Sequence, residues 1–243
     1  MVASAYAPAS RAFLAANTSR GMGVALDLGC GPAFSTQLLD EVSSPMDLVG
    51  LDSSPEFLEV ARGRMPNVEF QTHDATSTPL PRAPADLIYA RLLLAHVRDP
   101  LHTVGGWRSQ LAPGGILLIE DLEGIVAPRG PLRAYDEVSE SVVKRAGGIM
   151  CAGAVLARLG GECTPVTVPA ATAARIYLFN VRRWIEDPAS PTPEERLTEL
   201  EIGLSALVER NVPWDGLLDR AADCDVRLTP SRETPRTSTR VRA

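Results

Sequence analysis

Short apolar runs alternate with segments of helical periodicity along the first half of the chain. Val24–Leu28, Asp47–Leu51, Val68–Thr72, Asp86–Ala90 and Ile116–Glu120 each read as a strand. A helix over 33–42 carries Leu38, Leu39 and Val42 as its apolar stripe. Ser54-Pro55 supplies an N-cap and a first helical residue, and Glu56 places an acid in the first turn. Asp99-Pro100 starts a further helix that reaches about Leu111. The proline-rich stretch 77–85 reads as a loop, and Pro113-Gly114-Gly115 as a tight turn. Strands that alternate with helices in this way predict an α/β fold. The expected sheet is doubly wound and mostly parallel, Rossmann-like, with helices on both faces.

Beyond Asp121 the alternation breaks down. Residues 131–160 read as two helices interrupted at Gly147-Gly148, and 163–168 as a sixth strand. Helices are expected over 171–187 and 194–209, with a proline-marked linker between them. For a last strand the sequence leaves two readings, Asp225–Leu228 or an incomplete sheet.

Hydrophobic residues make up 45% of the chain, enough for a sizeable core, and the net charge is −6. That charge argues against nucleic acid or an anionic membrane as partner. No apolar run approaches the roughly 18 residues of a membrane span, and the N-terminus lacks the basic-then-apolar pattern of a signal peptide. A cytoplasmic location is the expectation. Cys30, Cys151, Cys163 and Cys224 show no paired spacing, nor do they match His73, His96 or His102 as ligands, so no metal site is expected.

Residues 24–36, VALDLGCGPAFST, carry the chemistry. An apolar strand runs into Gly29-Cys30-Gly31, a helix follows, and Asp52 closes the next strand. Such a layout grips a nucleoside-containing cofactor at the carboxyl ends of parallel strands. A dinucleotide fingerprint would place its third glycine at Phe34, which disfavours NAD. The glycines permit close backbone approach, and one carboxylate at Asp52 can accept from two vicinal ribose hydroxyls.

The Asp27/Gly29/Gly31 pattern resembles class I S-adenosylmethionine-dependent methyltransferases. So do FQTHDAT, ADLIYARLLLAHVRDP and LAPGGILLIED, in order, over about residues 20–125. The resemblance implies S-adenosylmethionine as cofactor, with S-adenosylhomocysteine as product. Asp27 would address the methionine ammonium, with Gly29 and Gly31 beside it. Asp52, flanked by Ser53, would hold the ribose. Asp74 and the Ala75 N–H would meet the adenine, and Ala90 and Arg91 would line the methionine end. It also implies a cofactor-binding core over 21–124 and further strands with a helical cap over 125–228; the residues themselves read as a helical segment over 1–20 and, from Arg, Ser, Thr and Pro at the end, a disordered tail over 229–243. The looser half points to the small-molecule branch of the family, some of whose members act on natural products.

His96, after the fourth strand, has the side chain for base catalysis near neutral pH, against a purely structural role. Arg91 is a candidate to orient an anionic acceptor. Glu120 is a candidate base, with Asp121 and Glu123 beside it. Tyr177 and Trp184 read either as an aromatic wall for a planar acceptor or as core. Methyl transfer to oxygen, nitrogen or carbon of a small molecule is the expected function. The alternative is a methyltransferase fold used as a cyclase or binding scaffold. The state is expected to be monomeric or homodimeric.

Overall fold

The computed structural model describes residues 2–126, 130–159, 162–163, 166–187, 190, 192–209 and 225–233. An N-terminal helix, α1 (Val2–Asn17), precedes β1 (Val24–Leu28), α2 (Phe34–Ser43), β2 (Asp47–Asp52), α3 (Pro55–Arg64), β3 (Glu69–Thr72), β4 (Ala85–Arg91), α4 (Pro100–Ser109) and β5 (Leu111–Val126). These follow the expected order with end shifts of a residue or two, β5 excepted. The caps are those the sequence offered. The Ser54 side chain accepts from Phe57 N, and Asp99 accepts from His102 N at 3.0 Å.

The sheet has eight strands in the order β3-β2-β1-β4-β5-β8-β6, with β7 also on β8. Strands β1 to β5 are parallel. Period-two alternation sorts their side chains onto two buried faces. Leu26, Leu28, Ile88, Ala90, Leu117 and Ile119 pack with Val104 and Trp107 of α4. Ala25, Leu87, Tyr89 and Leu118 pack with Leu14 of α1 and Leu38 and Leu39 of α2. Helices therefore cover both faces, as a doubly wound sheet requires.

Pro113-Gly114-Gly115 is not a turn leading into β5 but an irregularity inside it. Ala85 pairs with Leu111 and Leu87 with Ile116, so the extra β5 residues bulge out between these pairs. Gly114 takes the left-handed φ of 84° that this needs.

Past β5 come α5 (Pro131–Arg145), the short α6 (Gly153–Leu156), β6 (Glu162–Cys163), β7 (Val166–Pro169), α7 (Ala170–Glu186), α8 (Glu194–Glu209) and β8 (Asp225–Glu233). The sixth strand read from sequence is two short strands, both antiparallel to β8. Of the two readings left open at the C-terminus, the strand is the one that forms. It runs antiparallel to β5 and extends to Glu233, into the segment expected as tail. Residues 234–243 lie outside the described residues. Helices α5, α7 and α8 share a second core of Leu132, Tyr135, Val138, Tyr177, Val181, Leu197 and Leu204, which Tyr6 of α1 joins.

Candidate functional site

Asp27, Asp52 and Arg91 meet at the carboxyl ends of β1, β2 and β4. Asp27 is fully buried, and its Oδ2 accepts from Ser35 Oγ at 2.8 Å and from Thr36 Oγ1 at 2.6 Å. Its Oδ1 is buried with no hydrogen-bond partner among the described residues. Burial pushes the carboxyl up to about 6, although Thr36, Ser35 and the Arg91 charge pull it back. An acid left half-satisfied at a strand end is an acceptor waiting for a donor.

The turn after β1 places Gly29 and Gly31 at φ 64° and 51°. A side chain added at Gly31 would meet no atom within 4 Å, so open space lies over it. Asp52 Oδ2 accepts from Gly31 N at 2.9 Å and Oδ1 from Ser54 N at 2.8 Å. Each oxygen keeps a second lone pair. The half-buried carboxylate is thus fixed by backbone and still able to accept; Ser53 beside it is exposed. Phe34, where a dinucleotide site would carry glycine, lies under the Arg64 guanidinium at 3.8 Å.

Past β3, Asp74 Oδ1 accepts from Thr76 N and Oγ1, both at 2.8 Å, and these bonds hold its carboxyl below the usual range. The Ala75 carbonyl accepts from Trp107 Nε1 at 2.7 Å, which pins this loop to α4. The orphaned Asp27 oxygen, the space over Gly31 and the paired acids fit S-adenosylmethionine, whose ammonium, ribose and adenine need an acceptor each.

Ala90 is buried and Arg91 half-buried. The Arg91 charge acts on Asp27, Glu120, Tyr89 and Tyr6. Glu120, read from sequence as a candidate base, has both oxygens engaged. Tyr89 donates to Oε1 at 2.5 Å and Ser10 of α1 to Oε2 at 3.0 Å. Burial still raises its carboxyl. Glu120 therefore ties α1 to the strand ends. His96 lies exposed on the helical turn Leu94–His96, apart from that network.

Asp121 was legible only as one of three acids. It is buried, its Oδ2 accepts from Leu94 N and its Oδ1 from Leu122 N, both at 2.8 Å. The N–H groups of Leu93 and Ala95 also favour its charged form, yet burial pushes it up to about 7. Asp121 thereby holds the turn after β4, whose Leu93 packs against Gly29 and whose Leu92 takes a φ of 53°. Tyr177 and Trp184 both stack on Tyr135, at 4.0 and 5.5 Å between ring centroids, within the second core. Among the described residues no group of His, Cys, Asp or Glu could hold a metal ion, and no helix is long and apolar enough to cross a membrane.

Residues 20–151 match the methyltransferase-domain family. The trans-aconitate 2-methyltransferase of Methylobacterium radiotolerans is 39% identical over 105 residues, covering 43% of this chain and 40% of its own length. That of Azoarcus is 36% identical over 146 residues, covering 60% and 51%. The chain thus spans about half or less of these relatives. Phosphoethanolamine N-methyltransferase 2 of Haemonchus contortus, solved with S-adenosylhomocysteine, superposes with a TM-score of 0.59 at 16% identity, over 93% of this chain and 52% of its own. YcgJ of Bacillus subtilis does so at 0.57 and 18% identity, over 94% and 99%. The chain belongs to the class I S-adenosylmethionine-dependent methyltransferases.

Proposed function

We propose that the protein transfers a methyl group from S-adenosylmethionine to a small-molecule acceptor, in the cytoplasm. The observation that carries this is the buried Asp27 carboxylate, with one oxygen unpartnered among the described residues, beside open space over Gly31. Bound there, S-adenosylmethionine supplies an electrophilic methyl on a good leaving group. Asp27 would hold the ammonium, Asp52 the ribose, Asp74 and the Ala75 N–H the adenine. The buried acids Asp27 and Glu120, on both of which the Arg91 charge acts, favour a cationic donor. What remains for the protein is mainly alignment of the acceptor with the methyl. The trans-aconitate relatives support a small organic acceptor, and a place in natural-product biosynthesis belongs to the same proposal.

Calorimetry with S-adenosylhomocysteine and NAD in parallel tests the reading. The first should bind and the second should not. Asp52→Ala should weaken the first at least tenfold, since a hydrogen bond to a charged group contributes about 1.5–3 kcal/mol. Tighter binding of NAD, or no loss in the variant, would overturn it. Binding without transfer to any acceptor would leave the cyclase or scaffold use instead.

A further inference from the structure

Above the carboxyl end of β4 lies a group of buried hydroxyls that the cofactor does not account for. Tyr6 comes from α1, Tyr135 and Ser139 from α5, and Tyr177 from α7; all are buried. Tyr135 is satisfied by Asn180 Nδ2 at 2.8 Å. Among the described residues the Tyr177 hydroxyl and Ser139 Oγ are buried without a partner in hydrogen-bonding geometry, although Ser139 lies close enough to Tyr135 to act on it. Tyr6 and Tyr177 are close enough to act on one another, yet that contact leaves the Tyr177 oxygen unsatisfied. An unmet buried hydroxyl is costly, and a ligand oxygen would relieve it.

Two observations place this group at the reacting end of the site. Leu92, next to Arg91 at the end of β4, packs against the same core as Tyr6, Tyr135 and Tyr177. The Arg91 charge reaches both Asp27, at the donor site, and Tyr6. The neighbouring acids hold the fold together. Both Glu120 oxygens are bonded to Tyr89 and Ser10, both Asp121 oxygens hold backbone N–H groups, and His96 is exposed.

We propose that Tyr6 and Tyr177 form the acceptor site and that the acceptor is a small carboxylic acid, its carboxylate held by the two phenol hydroxyls beside Arg91. This rests on the methyltransferase reading. A carboxylate oxygen attacks the methyl carbon and forms the O–C bond. The C–S bond breaks, its electron pair goes to sulfur, and the products are a methyl ester and S-adenosylhomocysteine. No proton moves. Burial raises both phenols, so they remain donors at neutral pH.

The test uses the full chain saturated with S-adenosylhomocysteine and titrated calorimetrically with trans-aconitate, fumarate, benzoate and cinnamate. Their methyl esters and benzylamine serve as controls. At least one acid should bind, the controls should not, and Tyr6→Phe and Tyr177→Phe should each weaken that acid about tenfold or more. Affinity for S-adenosylhomocysteine should stay within twofold in both variants. With S-adenosylmethionine labelled in its methyl, the bound acid should yield a base-labile product that releases methanol. Binding of none of the acids, equal binding by the Phe variants, or a base-stable product would overturn the proposal. Failure of S-adenosylhomocysteine to bind would overturn the methyltransferase reading first, and this proposal with it.

Discussion

An Asp27→Asn substitution sets the stability of the free protein against its hold on the methyl donor. Burial raises the Asp27 carboxyl from its ordinary 3.8 to about 6. Between those values the folded chain binds more protons than the unfolded one. Stability therefore falls as pH rises through the interval, and the loss is complete above about 6. At about 1.4 kcal/mol per pH unit, an interval of about 2 units amounts to about 3 kcal/mol. Asparagine carries no charge, so the variant escapes this loss, whatever it forfeits in contacts with Ser35 and Thr36. The unfolding free energy of the variant minus that of the native protein should increase by about 3 kcal/mol between pH 4 and pH 8. At this chain length that is a relative rise in melting temperature of roughly 6 to 12 °C. Urea unfolding at the two pH values measures the difference, in which Glu120 and Asp121 cancel. Binding should move the other way. The donor ammonium favours the charged Asp27, so calorimetry of the native protein near pH 5.5 should show proton release, absent in Asp27→Asn, with affinity at least tenfold lower at pH 8. A stability difference that stays flat with pH would refute the account of Asp27 as a strained buried acid.

Three further outcomes follow from the same contacts. Asp121→Ala leaves the Leu94 and Leu122 N–H groups buried and unmet, so denaturant unfolding should show a loss of about 3 kcal/mol or more, and Asp121→Asn should recover part of it. Gly31→Ala puts a methyl group into the space assigned to the donor at a φ of 51°; it should cost only about 1–2 kcal/mol in stability but weaken S-adenosylhomocysteine at least tenfold by calorimetry. Ser10→Ala removes the bond that ties α1 to Glu120; amide exchange across Tyr6–Leu14 should speed up while strands β1 and β4 keep their protection.

The arrangement of the proposed cofactor half was legible because its residues are consecutive with the elements that place them. Asp27, Gly29 and Gly31 follow one strand, and Asp52 ends the next. Parallel pairing of Asp27 with Gly50 and Tyr89 then leaves little freedom in where they meet. Strand β5 misled because Pro113-Gly114-Gly115 has the composition of a turn, while the neighbouring strand accommodates it as a bulge. Strand β8 gave little local signal, with Pro230 in a polar run; its conformation comes from backbone pairing to β5, β6 and β7, a tertiary term that no local pattern carries.

The acceptor half was illegible for a different reason. Tyr6, Ser139 and Tyr177 lie on three helices far apart in sequence; Tyr177 alone reads as a candidate acceptor wall, against core, while Tyr6 and Ser139 carry no local signal. A local trace of α1 does exist. Tyr6, Ser10 and Leu14 recur at i, i+4 and i+8 and are all buried. That stripe passes from the sheet face at Leu14, over Glu120 at Ser10, to the tyrosine group at Tyr6. A polar residue in the middle of a buried stripe needs a buried partner, and here the partner is a carboxylate at the end of a central strand. The helix before the sheet is thus positioned by the same strand ends to which the donor is assigned. It couples the two halves of the site, and it explains why an acid that looked like a base in the sequence is, in the fold, the anchor for the wall facing the acceptor.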